Sequence, residues 1–369
     1  MDLTFTNEQD MLREAVRGLC NDAVESVRLM EDDPKGFDDG FWGQLASMGL
    51  TGLMLDEEHG GSAMSLLDAV IVYEEFGRSL VPSPHLESTV VSAGVLALAG
   101  TPDQQARWLP GIASGQSILT PAWLEPDNSS GPSGIRLSAV ADGEDVILTG
   151  TKRHVAYAST AERLILLARG ETGIDLYLVD PKANGVTLTL QHTVAGDTQY
   201  RVDLDEVPVP CTDRIGAPGT GWATWHTVML DALVLVAARA VGAAEATHAL
   251  TTDYSRERHQ FGKPIAAFQA ISHSLADGIT AIDGARVLVQ RAAWTRDAGR
   301  SIETLAPMAK MFATRTCRDV TGVAIQVHGG MGFTLECDAQ LYFRRAKSWQ
   351  LNWFEDDHLE ELIARQVLD

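Results

Sequence analysis

The stretch Tyr254–Gln269, YSRERHQFGKPIAAFQ, decides how the rest of the chain is read. It predicts a helix that runs into a sharp Phe-Gly turn and a proline, followed by a second helix. Arg258 and Gln260, placed in the last turn of the first helix, offer a cation and an amide donor. A second stretch, Gln326–Phe333 (QVHGGMGF), reads as a helix ended by two glycines, where bare backbone can approach a ligand closely. Together the two suit the diphosphate and adenosine of a dinucleotide.

On either side of these motifs the texture is helical. Leu230 to Tyr254 is long and rich in Ala and Val, and Leu341 to Leu368 closes the chain. Residues from Asn7, read as a helix cap, to about Gly115 also carry apolar positions at helical spacing, among them Leu12, Ala15, Val16 and Leu19. Between the two helical regions lie short β-rich runs, DVILTG, RLILLAR, IDLYLV, VTLTL and YRVDLDEVPV, separated by Gly, Asp and Asn turns. The expected class is therefore α+β. Its three parts are an N-terminal helical domain over 1–117, a β-barrel-like sheet domain over 118–217 and a C-terminal four-helix bundle over 218–369.

Composition narrows the possible partners. The chain has 369 residues, 45% of them hydrophobic, and a formal net charge of −21. That charge would repel the phosphates of nucleic acid or an anionic membrane. Against it, Arg256, Arg258, Arg344 and Arg345 stand out as local phosphate contacts, although a solvated or salt-bridged arginine is the plainer reading of any one of them. Cys20, Cys211, Cys317 and Cys337 have no CxxC spacing, so neither a disulfide framework nor a metal site is expected, and a cytoplasmic setting is. The start MDLTFTNEQD is too polar for a signal peptide, and no apolar run reads as long enough to span a bilayer.

With these motifs in this order, the chain resembles the acyl-CoA dehydrogenase family of flavoproteins over essentially its whole length. EEHGG (57–61), YEEFGRSL (73–80) and DEVPVP (205–210) are also similar to family segments. The resemblance implies FAD as cofactor and an acyl-CoA as substrate. An electron-transfer acceptor is implied as well. It further implies that Arg258, Gln260, Phe261 and Gln269 reach across a subunit interface to the FAD of a neighbour. Gln326, Gly329 and Gly330 belong to the element that receives such an arm.

The chemistry so implied needs a carboxylate. A proton must leave the carbon next to a thioester carbonyl while a hydride leaves the next carbon, and the base must lie within hydrogen-bond reach. In most relatives the base is a Glu shortly after an RxAK-like element. Here RRAK is Arg344–Lys347, and the aligned positions hold Trp353 and Phe354. In another branch it lies early in the helix before RxxFG, and here that position is Ala232. Two nearby acids are weak candidates for a displaced base. Asp231 is one residue off, which rotates a helical side chain by about 100°, and Glu355 also reads as part of an acidic first turn with Asp356 and Asp357. His358 stands where a family His follows, and Asp357 replaces a family Gln near the adenosine.

The middle domain departs from the family too. LEPDNSSG (124–131) puts Leu124 where a flavin-contacting hydroxyl is usual, and GTKRHVAYA (150–158) puts His154 and Ala156 in the element that lies against the flavin. His154 reads either as a group stacked on the ring or as a solvent-facing residue at a strand end. Elements that serve a diphosphate across an interface are kept, and those that serve this subunit's own ring and substrate are eroded. The pattern resembles the subunit lacking the Glu in α2β2 heterotetrameric steroid-degrading acyl-CoA dehydrogenases. A self-sufficient homo-oligomer with a displaced base and a non-catalytic scaffold of the same fold are the alternatives.

Overall fold

The first helix, α1 (Asn7–Asp22), begins one residue earlier than a cap at Asn7 would require. Thr6 is the cap, accepting from the Gln9 N–H while the Gln9 side chain accepts from the Thr6 N–H. This reciprocal pairing satisfies two orphan donors at once, which Asn7 could not do from inside the first turn. The computed structural model describes residues 4–31, 33–126 and 130–368. In chain order it is helices, a sheet, then helices, an α+β architecture. By contact density it divides into two units, each discontinuous in sequence.

One unit comprises Met1–Val24, Ser65–Val81 and Leu233–Asp369. It contains α1, α4 (Leu66–Ser79), most of α7 (Gly221–Glu257), α8 (Gln269–Asp297), α9 (Leu305–His328), α10 (Ala339–Leu351) and α11 (Asp356–Leu368). Helices α4 and α7 touch backbone to backbone. A Cβ on Gly77 would lie 1.8 Å from the Arg239 carbonyl oxygen, and one on Gly242 would lie 1.8 Å from that of Glu74. So close a crossing carries Glu74 and Glu75 inside, where they need cations. Arg17 forks onto Glu75 at 2.7 and 2.9 Å. Arg13 and Arg286 reach Glu74 at 3.6 and 3.5 Å, and Arg78 pairs with Glu245. Burial still holds the Glu74 carboxyl above its ordinary range, with Arg286 and Arg13 opposing it.

Helix α7 corrects one sequence expectation. An 18-residue window of it has a mean hydropathy of 1.8, enough in length and composition to cross a bilayer, yet 83% of that window is buried inside the protein. An all-round apolar helix serves equally well as the core of a folded domain.

The other unit comprises Glu25–Met64 and Pro82–Ala232. Its helices are α2 (Ser26–Leu29), α3 (Asp39–Ser47), a buried π-helix (His85–Ser92), α5 (Ala93–Ala99) and α6 (Pro102–Ala113). Its sheet runs β6 (Val186–Gln191), β7 (Gln199–Pro210), β3 (Asp145–Ala156), β2 (Ser138–Asp142), β4 (Arg163–Gly170), β5 (Gly173–Val179) and β8 (Arg214–Ile215), with β1 (Leu119–Ala122) parallel to β4. Leu148, Val155, Leu166, Val202, Leu204 and Val207 form the centre of its core. The β3–β7 ladder breaks register between Lys152 and Val155, and that bulge turns His154 outward with φ +55°.

Two glycine substitutions should separate the close crossing from ordinary helix packing. Gly77→Ala forces a methyl into a backbone oxygen and should cost about 3 kcal/mol or more, at the upper end of overpacking effects. Gly322→Ala, in α9 with nothing within 4 Å of an added Cβ, should stabilise by about 0.5–1 kcal/mol through helix propensity. Urea titration of both variants checks the opposite signs.

Candidate functional site

Helix α7 ends at Glu257, so Arg258 and Gln260 lie beyond it rather than in its last turn. Residues His259–Gln260 and Lys263–Pro264 pair as a short hairpin, β9 and β10. Phe261 and Gly262 form its turn, with φ +53° and +78°. Two successive positive φ values match a type I′ turn, whose flanks must be extended, and that requirement takes 258–260 out of the helix. The Arg258 N–H still donates to Tyr254 O at 2.9 Å, and its carbonyl accepts from Ile265 N–H at 2.8 Å, closing the loop. Phe261 is 91% exposed at the tip, and Arg258, Gln260 and Gln269 are exposed behind it. Among the described residues, no hydrogen bond or ion pair holds the Arg258 guanidinium.

The second motif closes α9. Gly329 caps the helix with φ +60°, and an added Cβ at Gly329 or Gly330 meets nothing within 4 Å. Gly332 has a different purpose: a Cβ there would lie 2.7 Å from the Ile325 carbonyl oxygen. The two motifs come together through a contact that the sequence reading missed. Tyr254, one turn before Arg258, stacks on His328, next to Gly329, with ring centroids 4.3 Å apart. Gln326, Gly329 and Gly330 are exposed, as are the apolar side chains of Met331, Phe333 and Leu335.

Between α10 and α11 the chain passes Trp353 and Phe354, with φ +57° and +69°. Neither residue type favours the left-handed region, so the surroundings must hold the turn. Phe354 is buried with its ring edge on His358, 4.7 Å between centroids. Fully buried Lys310 donates from Nζ to the carbonyls of Gln350 at 2.8 Å and Phe354 at 2.6 Å. Burial pushes this ammonium down to about 7, with Asp356 and Glu355 opposing the shift. Asp356 accepts from Arg315 and from Gln350, each at 2.8 Å. Burial raises its carboxyl, but those two hydrogen bonds prevail and hold it below the ordinary range. Asp356 and Asp357 occupy the first turn of α11, as the acidic run suggested, and Glu355 is exposed just before it. On α7, Ala232 is fully buried and Asp231 half-buried.

In the sheet unit, Leu124 leads into Glu125, whose carboxylate accepts from Lys152 Nζ at 2.6 Å and from the N–H groups of Arg136 and Leu137. Lys152 is fully buried, and burial lowers it to about 8 against the pull of Glu125. This knot ties the start of the 124–131 loop to the sheet. Asp127–Ser129 of that loop lie outside the described residues. The Leu124 carbonyl accepts from Arg153 N–H at 2.8 Å, and the Ala156 carbonyl from the Thr120 hydroxyl at 2.7 Å. His154 is solvent-facing. Its N–H donates to Gln191 Oε1 at 2.9 Å, Nδ1 lies 2.7 Å from Gln199 Oε1, and Gln199 Nε2 donates to Asp197 at 2.6 Å.

Comparison with known proteins agrees with this layout. Residues 6–116 match the model of the acyl-CoA dehydrogenase N-terminal domain, and residues 219–368 that of the C-terminal domain. The chain is 30% identical to the probable acyl-CoA dehydrogenase YngJ of Bacillus subtilis over 100% of both chains. It superposes on the ChsE4-ChsE5 complex from Mycobacterium tuberculosis with a TM-score of 0.91 and 28% identity, covering 100% and 99% of the two chains. The Tcur3481-Tcur3483 steroid ACAD gives 0.88 and 29%, covering 98% and 99%.

The two buried lysines make stability depend on pH. An unfolded lysine keeps its proton up to about pH 10.4, whereas folded Lys310 releases it near 7 and Lys152 near 8. Between those limits the unfolded chain binds more protons, so stability should rise with pH from 7 towards 10. Lys310→Met should cost about 1–3 kcal/mol by orphaning two carbonyls. It should also flatten the rise between pH 7 and 9, measured as the shift in urea midpoint.

Proposed function

The chain belongs to the acyl-CoA dehydrogenase family, and from this we propose that it is a base-less subunit of a heteromeric acyl-CoA dehydrogenase. Members of the family act on CH–CH bonds as FAD-dependent oxidoreductases. The reading rests on one observation: both usual base positions hold side chains that cannot take a proton from carbon, Trp353 in a left-handed turn and Ala232 inside α7. The partner, a second chain of this family in an α2β2 assembly, supplies the Glu. The resemblance to the ChsE4-ChsE5 complex and to a steroid acyl-CoA dehydrogenase supports this arrangement and suggests a steroid side-chain CoA as substrate. Four free cysteines fit a reducing cytoplasm.

The residues present fit an FAD diphosphate. Among the described residues no carboxylate pairs with the Arg258 guanidinium, Gln260 and Gln269 add exposed amides, and Gly329 and Gly330 leave open space over bare backbone. Gln326 stands beside that backbone, and Phe261 offers an apolar face at the tip of the arm. When bound, FAD supplies the hydride-accepting ring. This chain's residues would hold its diphosphate end at the unlike interface, and the substrate proton would pass to the partner's carboxylate. An electron-transfer acceptor is the further partner that this chemistry would need.

Removing the charge-assisted contact in Arg258→Ala should weaken FAD binding to the assembly roughly 10- to 150-fold, from about 1.5–3 kcal/mol. Flavin content per chain after dialysis measures it, and unchanged content would remove Arg258 from the site.

Mixing this chain with the partner should create acyl-CoA dehydrogenation absent from either alone, assayed with an artificial electron acceptor. Turnover by this chain alone that disappears in Asp231→Asn or Glu355→Gln would replace the heteromer with a displaced base. Replacing the partner's Glu by Gln should abolish turnover and leave FAD bound.

A further inference from the structure

Arg239 is a half-buried cation that pairs with no anion among the described residues. It sits on α7 at the crossing with α4, where its own carbonyl faces Gly77. Its guanidinium carbon lies 5.4 Å from the ring centre of fully buried Tyr73 and 5.8 Å from that of half-buried Trp349. The neighbouring acids are already engaged: Glu75 by Arg17, Glu74 by Arg13 and Arg286, and Glu245 by Arg78. Among the described residues no carboxylate, carbonyl or amide oxygen accepts from Arg239. In a chain with 50 acidic and 29 basic residues, a half-buried guanidinium that no anion claims among the described residues is anomalous.

The two aromatic faces explain how the charge is tolerated and what it can still do. Rings beside a guanidinium stabilise the cation. No oxygen among the described residues accepts from its N–H fork, and such a fork matches a carboxylate in two parallel hydrogen bonds. Half-buried Arg239 and Trp349 keep the fork reachable. Trp349 also stands four residues before Trp353, on the helix that leads into the Lys310-held turn.

We propose that Arg239, flanked by Tyr73 and Trp349, is a carboxylate-binding site. The carboxylate arrives either at the far end of an acyl-CoA or on a free dicarboxylate. The acyl-CoA arm rests on family membership, and neither arm depends on the heteromer or on which chain holds the base.

Calorimetric titration of the purified chain, alone and in its assembly, tests this with three probes. These are glutaryl-CoA, pentanoyl-CoA with the same chain length but no carboxylate, and free glutarate. Glutaryl-CoA binding at least 10-fold tighter than pentanoyl-CoA assigns the acyl source, and saturable glutarate binding assigns the free one. Arg239→Gln should erase either effect, and Arg239→Lys should retain part of it, since charge survives while the fork does not. Trp349→Leu, a second variant with the charge intact, should weaken the discrimination. Equal affinity for the two thioesters with no glutarate binding would overturn the site, as would discrimination that persists in Arg239→Gln. Because the readout is binding without turnover, its failure leaves the heteromer untouched, and failure of the heteromer leaves it untouched.

Discussion

The backbone contact between α4 and α7 is the constraint from which much of the helical unit follows. Two glycines, Gly77 and Gly242, let two carbonyls come within reach of the opposite helix. Nothing larger fits, and the closeness puts two consecutive glutamates in the interior. Their charge then recruits arginines from α1 and α8, so that an ionic cluster joins elements distant in sequence. Removing one member would strand a buried charge, which costs far more than an exposed pair contributes. The cluster therefore specifies which helices meet more than it adds to stability.

The candidate site inherits its placement from that frame. Helices α7 and α9 deliver their C-terminal ends side by side, joined by Tyr254 and His328. A cation, two amides and uncovered glycine backbone thus gather on one exposed face, among apolar side chains that water does not favour. The loop after α10 is built on packing and hydrogen bonds. Phe354 is a buried anchor, and Asp356 is held by Arg315 and Gln350.

Much of this was legible. The Phe-Gly pair announced the turn, and glycines announced the end of α9, because both demands are local and few residues meet them. The reading of Trp353 and Ala232 as base positions rests on their spacing from RRAK and RxxFG alone. Other features depend on distant partners. Lys310 in a helix of alanines and methionines looks like a solvated residue, and only carbonyls about forty positions later make it structural. Positive φ at Trp353 and Phe354 leaves no mark in composition, since neither side chain prefers it. Arg258 and Gln260 were assigned to a helix because hairpin flanks of two residues are too short to show a period of two. The length of α7 was misjudged as harmless to a membrane test, because periodicity does not separate a core helix from a span.

His154 carries a consequence of its own. A carboxylate can only accept, so Asp197 obliges Gln199 to turn its amide nitrogen towards it and its oxygen towards the imidazole. That oxygen in turn obliges Nδ1 to carry the proton. The neutral ring is thereby fixed in one tautomer, with Nε2 left as the acceptor nitrogen of an exposed residue at the β3 bulge. Three side chains thus set the polarity of a single nitrogen: at neutral charge it welcomes a donor and repels a carbonyl or phosphate oxygen.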